Sequence, residues 1–141
     1  MKSLIYTFIL SASLILASCG PNLSKQNKEL RDQVIAVHDE VMPKMGQLKA
    51  LEKEAQQKAE ELLLQDSTQT EQVQALQGLA VELDQAYEGM FVWMRQYETE
   101  DGERTPEEVK VYLEDQMVKV TQVNEQIKGA LSKADSLLKN Q

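Results

Sequence analysis

His38, Met42 and Met45 stand at helical spacing, so a helix through them would set an imidazole and two thioethers along one flank. Met90, Trp93 and Met94 form a second such group further along the chain. Imidazole with thioether sulfur is a donor set suited to a soft cation such as Cu(I), and an indole face attracts cations. The same residue types also make an adaptable core, because thioethers fill irregular gaps and pack well against aromatic rings. A third use is a groove that takes an apolar ligand or a partner helix. The backbone is weak nearby. Pro43 removes the hydrogen bond to the Asp39 carbonyl, at about 3 kcal/mol in a helix interior, and Gly46 and Gly89 each cost about 1 kcal/mol relative to alanine. These three residues mark the expected helix kink.

Other chemistry is poorly supported. The run His38, Asp39, Glu40 would need a second histidine to form a zinc pair at i and i+4, and the chain has one histidine. Adjacent helical residues also point about 100° apart, so these three do not converge. No glycine-rich phosphate loop and no nucleophile beside a recognisable base occurs. Glu107 and Glu108 read as helix-start charges, and the pattern argues against an enzyme. With 15 basic and 23 acidic side chains the net charge is −8, which gives a nucleic-acid backbone little to bind.

The elements that must position these residues are legible from hydrophobic periodicity. Val34, Val41, Leu48, Ala55 and Leu62 recur at heptad spacing, with Leu30, Val37 and Leu51 between them. Val73, Leu76, Ala80, Leu83, Tyr87, Met90, Met94 and Tyr97 alternate by three and four. Val109, Leu113, Met117, Val120, Ile127, Leu131, Ala134 and Leu138 repeat the scheme. Thr68 with Glu71, and Thr105 with Pro106 and Glu108, match capping boxes. Short links follow, with Gly102 suited to a left-handed turn. The expected fold is all-α: an up-down-up antiparallel three-helix bundle with long coiled-coil-like helices. The same heptads would also serve a coiled-coil homo-oligomer.

In that bundle the two turns bring His38, Met42 and Met45 level with Met90, Trp93 and Met94, and then with Tyr112, Leu113 and Met117. Gly46 would face Gly89. Asn124 falls on the third seam, where it either fixes register or yields its place to Val123 and stays in water. Residues 24–32 would overhang the bundle as a spacer, bringing Lys25, Lys28 and Arg31 towards a membrane surface.

That membrane is suggested by the start of the chain. Lys2 precedes an apolar run from Leu4 to Leu16, too short to span a bilayer well, and Leu16, Ala17 and Ser18 then lead into Cys19, the sole cysteine. This resembles a bacterial lipobox. Residues 1–18 are therefore expected to be a cleaved signal peptide, 19–33 a lipidated cysteine and spacer, and 34–141 the bundle. A lone thiol also offers no partner for an internal disulfide. Gly20 after Cys19 favours the outer membrane, facing the periplasm, over inner-membrane retention.

The segments HDEVMPKMGQL, MFVWMRQYE and YLEDQ resemble those of small helical lipoproteins of Gram-negative bacteria, a group often labelled automatically as "viral A-type inclusion protein". The similarity spans most of the chain after the leader, and HDEVMPKM is its most specific part. It implies a helical, lipid-anchored protein and carries no catalytic residue. The expected function is a non-enzymatic envelope lipoprotein, tethered to the membrane by lipid on Cys19 and engaging an unidentified envelope protein. The alternative is binding of Cu(I) or an apolar ligand through the Met/His/Trp layer.

Overall fold

The computed structural model describes residues 22–65 and 68–139. The leader and Cys19 lie outside the described residues. Helix α1 spans Leu23–Val41, a 3-10 turn spans Met42–Lys44, and α2 spans Met45–Gln65. Helix α3 spans Thr70–Gln96 and α4 spans Pro106–Lys139. The first two helices make one kinked arm, so the protein is an all-α, up-down-up bundle of three arms in which α1 runs parallel to α4.

Local chemistry sets the borders. Asn22 caps α1 by accepting the Lys25 amide proton at 3.2 Å. The second expected capping box forms in full: the Thr105 amide donates to Glu108 Oε2 at 2.8 Å, and the Glu108 amide donates to Thr105 Oγ1 at 3.3 Å. The first does not act as the cap, because α3 begins at Thr70 with Gln69 in the N-cap position. Gly102 has φ of 61°, the left-handed conformation that glycine adopts without strain.

Pro43 lies in the first turn of the 3-10 segment, where a missing amide costs little because the leading amides of a helix have no partner within it. Met42 and Met45 keep helical dihedrals, while Val41 departs to φ −106° and ψ −17°. The bend redirects the arm. Before it, α1 packs chiefly along α4; after it, α2 packs chiefly along α3.

The core follows the expected seams with one systematic shift. Val34, Val41, Leu48 and Ala55 are all completely buried, as are Leu76, Leu83, Leu113, Val120 and Ile127. Each fully buried leucine or valine contributes about 1.5–3 kcal/mol. Along α3, however, Leu79, Ala86 and Trp93 are buried, Tyr87 is half-buried and Met94 is 38% exposed. A 3.5-residue seam drifts by about 20° per heptad on a straight helix. Helix α3 also touches two other arms, so its buried face is wider than one seam.

Three expectations are corrected. Residues 24–32 do not overhang. Asn27 is buried and its Nδ2 donates to the Pro106 carbonyl at 2.7 Å, while Arg31 bonds to the Glu98 carbonyl, the Tyr97 hydroxyl and Asp101. The cause is that α3 stops at Tyr97, whose backbone is extended, so α4 starts beyond it and the beginning of α1 covers that start. Tyr112 therefore stacks on Tyr97 near the end of α3 instead of joining the methionine layer. Finally, Gly46 and Gly89 do not meet: Gly46 is exposed, and Gly89 looks towards Val123 and Gln126 of α4.

Candidate functional site

The kink places the Met/His/Trp layer in the half of the bundle nearer the start of α1. The ring of His38 lies 5.6 Å from that of Trp93, tilted by 37°. Its Nδ1 is 2.8 Å from Asp39 Oδ1, a contact in which an Nδ1 proton donates to the carboxylate. Met45 is buried and Met90 completely so, Met42 is half-buried against the same core, and Met94 is 38% exposed. The expected residues thus share a level but not a single environment. Pro43 and Gly46 are exposed and act through the backbone alone. Met117 is engaged elsewhere, its sulfur accepting from the Thr121 hydroxyl at 3.8 Å.

Trp93 anchors the layer. Its Nε1 donates to Gln116 Oε1 at 3.0 Å in a buried hydrogen bond, and its ring stacks on Tyr97 at 4.9 Å. Tyr97 stacks in turn on Tyr112 at 6.3 Å, and the Arg104 guanidinium lies 4.5 Å over the Tyr112 ring. Burial pushes the Tyr97 phenol up, against the Arg31 guanidinium that favours its ionised form. The Glu98 amide donates to the Tyr112 hydroxyl at 2.6 Å, which fixes the point where α3 ends.

Polar side chains bind α1 to α4. Asn124 is buried, as the register-fixing alternative requires, and its Nδ2 donates to the Val37 carbonyl at 2.8 Å and to Glu40 Oε2 at 3.0 Å. Lys128 Nζ is 2.6 Å from Glu40 Oε1. The hydrogen bonds from Lys128 and Asn124 hold the Glu40 carboxyl below its ordinary range. On the other side of the kink, Lys49 bridges Glu52 and Asp84, and these bonds hold its ammonium well above the usual lysine range.

Two buried polar residues escape the sequence reading. Asn27 sits seven residues before Val34, so the heptad itself marks it as inward-facing. Its Oδ1 has no hydrogen-bond partner and lies beside a cleft of about 260 Å³ lined by Lys28, Arg31, Asp101, Arg104 and Pro106. Gln116 lies three residues after the buried Leu113, and the signal for it is the indole nitrogen that any buried tryptophan must satisfy.

Among the described residues no three His, Cys, Asp or Glu gather as a metal site, and no helix is long and apolar enough to cross a membrane. The donors in the layer are thioether and imidazole. The chain matches no family model, no curated protein and no solved structure.

Proposed function

We propose that this chain is a lipid-anchored envelope protein without enzymatic activity, held on the outer membrane by acyl chains on Cys19. Its acidic bundle faces the periplasm and presents a helical surface to a protein partner. The observation that carries this reading is LILASC, an apolar run and two small residues ending on the chain's only cysteine. Each buried CH₂ contributes about 0.8 kcal/mol, so one acyl chain holds a protein marginally and two or three hold it durably. Helix α1 begins at Leu23, so the tether would be joined to the folded body by a few residues. The outer faces of the helices carry ion pairs typical of a solvated surface, among them Lys25 with Glu29 and Lys110 with Glu114. Val111 and Val118, at 66% and 67% exposure, are one heptad apart on the outer side of α4 and offer a partner apolar contact.

Radiolabelled palmitate should enter the chain in cells and fail to enter Cys19→Ala, which should also leave the membrane fraction. Photocrosslinkers placed at Val111 and Val118 should capture a discrete envelope protein. A Cys19→Ala chain that sediments with membranes as fully as its parent would remove the basis for the anchor.

A further inference from the structure

The end of the bundle where α1 and α4 both begin carries a charge opposite to that of the chain as a whole. Lys28, Arg31 and Arg104 meet there with one carboxylate, Asp101, around a cleft of about 260 Å³, whereas the full chain stands at −8. The guanidinium groups are held in place but not used up. Arg31 donates to the Tyr97 hydroxyl at 3.4 Å, to the Glu98 carbonyl at 3.3 Å and to Asp101; Arg104 donates to the Asp101 carbonyl at 3.4 Å and to Glu98 Oε2. A guanidinium has more N–H donors than these bonds consume. Lys28 is exposed and pairs with no described residue.

Beneath those cations lies an acceptor without a donor. Asn27 is 6% exposed, and its Nδ2 donates to the Pro106 carbonyl at 2.7 Å. That bond fixes the amide, because turning it over would set two carbonyl oxygens against each other. Oδ1 is closed to bulk water and accepts from no described group. An acceptor left in that state is costly, and the cleft is the open space that Asn27 borders. A molecule seated there can supply the missing proton.

We propose that this cleft binds the phosphate ester of a small polyol, with glycerol phosphate as the type. Phosphate oxygens accept from Lys28, Arg31 and Arg104, a recognition for which the guanidinium fork is well shaped. A neutral hydroxyl donates to Asn27 Oδ1. An ammonium in that place would lose its hydration and add a cation beside Arg31, which disfavours phosphoethanolamine. The cleft, at about 260 Å³, is smaller than the roughly 300–1,000 Å³ that houses drug-sized ligands, so the occupant is small. Helices α1 and α4 both turn the positive ends of their dipoles to this end; Glu107 and Glu108 answer that of α4, while α1 has no acidic residue in its first turn. Glycerol phosphate has two sources, the free ester and the headgroup of an anionic phospholipid. The binding chemistry is common to both; the headgroup source rests on the lipid-anchor reading, in which acyl chains on Cys19 hold the start of α1 at the bilayer.

The test uses the full chain carrying Cys19→Ser in a non-ionic detergent, which takes acylation out of the outcome and separates failure of the cleft from failure of the anchor. Glycerol 3-phosphate and glycerophosphoglycerol, the deacylated headgroup diester, are titrated by calorimetry and by NMR. The expected result is one ligand per chain, with shifts at the Asn27 side-chain amide and at the Arg31 and Arg104 guanidinium resonances. Tighter binding of the diester assigns the cleft to lipid headgroups, and tighter binding of the monoester assigns it to the free ester. Propyl phosphate keeps the phosphate but lacks the hydroxyls, so it leaves Oδ1 unmet and should bind about tenfold more weakly than glycerol 3-phosphate. Lys28→Gln breaks no bond to a described residue and should weaken both glycerol esters about threefold at low salt. No binding of either ester, equal affinity for propyl phosphate, an unmoved Asn27 amide, or full affinity in Lys28→Gln would overturn the proposal.

Discussion

The hydrogen bond between Trp93 and Gln116 offers the sharpest test of how the layer is held. Both residues are buried, at 5% and 4% exposure, and the indole Nε1 donates to Oε1 at 3.0 Å. Gln116→Leu leaves the indole proton without an acceptor, a cost of about 1–3 kcal/mol. Extra apolar burial returns up to about 1 kcal/mol, for a net loss near 1–2 kcal/mol. Trp93→Phe strands Gln116 Oε1 instead and adds a cavity, while Gln116 Nε2 keeps its contact with Asp115 at 3.2 Å. With both changes no polar atom is stranded by the exchange, and only the volume lost from indole to phenyl remains. The double variant should therefore be more stable than the two single losses imply, by about 1–2 kcal/mol. Urea unfolding followed by far-UV circular dichroism measures this, provided the m-values agree, and each kcal/mol should move Tm by about 4 °C. Losses that add to within about 0.5 kcal/mol would refute the reasoning.

Acid should weaken the fold through Glu40 and Glu108. Hydrogen bonds from Lys128 and Asn124, and from Thr105, make both carboxyls more acidic than the ordinary value of 4.5. Their contribution is complete above that value and is lost as pH falls through the lower folded value, so Glu40→Gln and Glu108→Gln should flatten the acid limb of a Tm-versus-pH curve. Thr105→Ala removes half of the capping box and should cost about 1 kcal/mol by urea unfolding. Gly102→Ala must hold φ at 61° with a side chain and should cost about 1–2 kcal/mol in the same assay.

The helices and their inward faces were legible because Val34, Val41, Leu48 and Ala55, or Val120, Ile127 and Ala134, obey a period that only a packed helix satisfies. The end of α3 was less so. Tyr97 leaves the helix because Tyr112, distant in sequence, supplies an acceptor for the Glu98 amide, and no local pattern encodes that bond. The first capping box also sits elsewhere than its pattern implies, since α3 begins two residues after Thr68 with Gln69 in the N-cap position and no side-chain cap bond from it. For the candidate site, the sequence brought His38 and Trp93 to one level, as observed. It did not separate Met90 inside from Met94 outside. That division depends on α1 leaning towards α4, a consequence of Asn124 and Asn27 binding its backbone and the start of its neighbour. Cys19 lies outside the described residues.

The parallel course of α1 and α4 also makes the protein a ruler. Asn27 meets Pro106 at one extremity and Lys58 reaches the Leu138 carbonyl at the other, so α4 runs the length between them. At about 1.5 Å per residue its 34 residues span about 50 Å. Cargo fused after the last turn of α4 would ride that far from whatever grips the first turn of α1, and a pair of dyes at those two points would read the span directly.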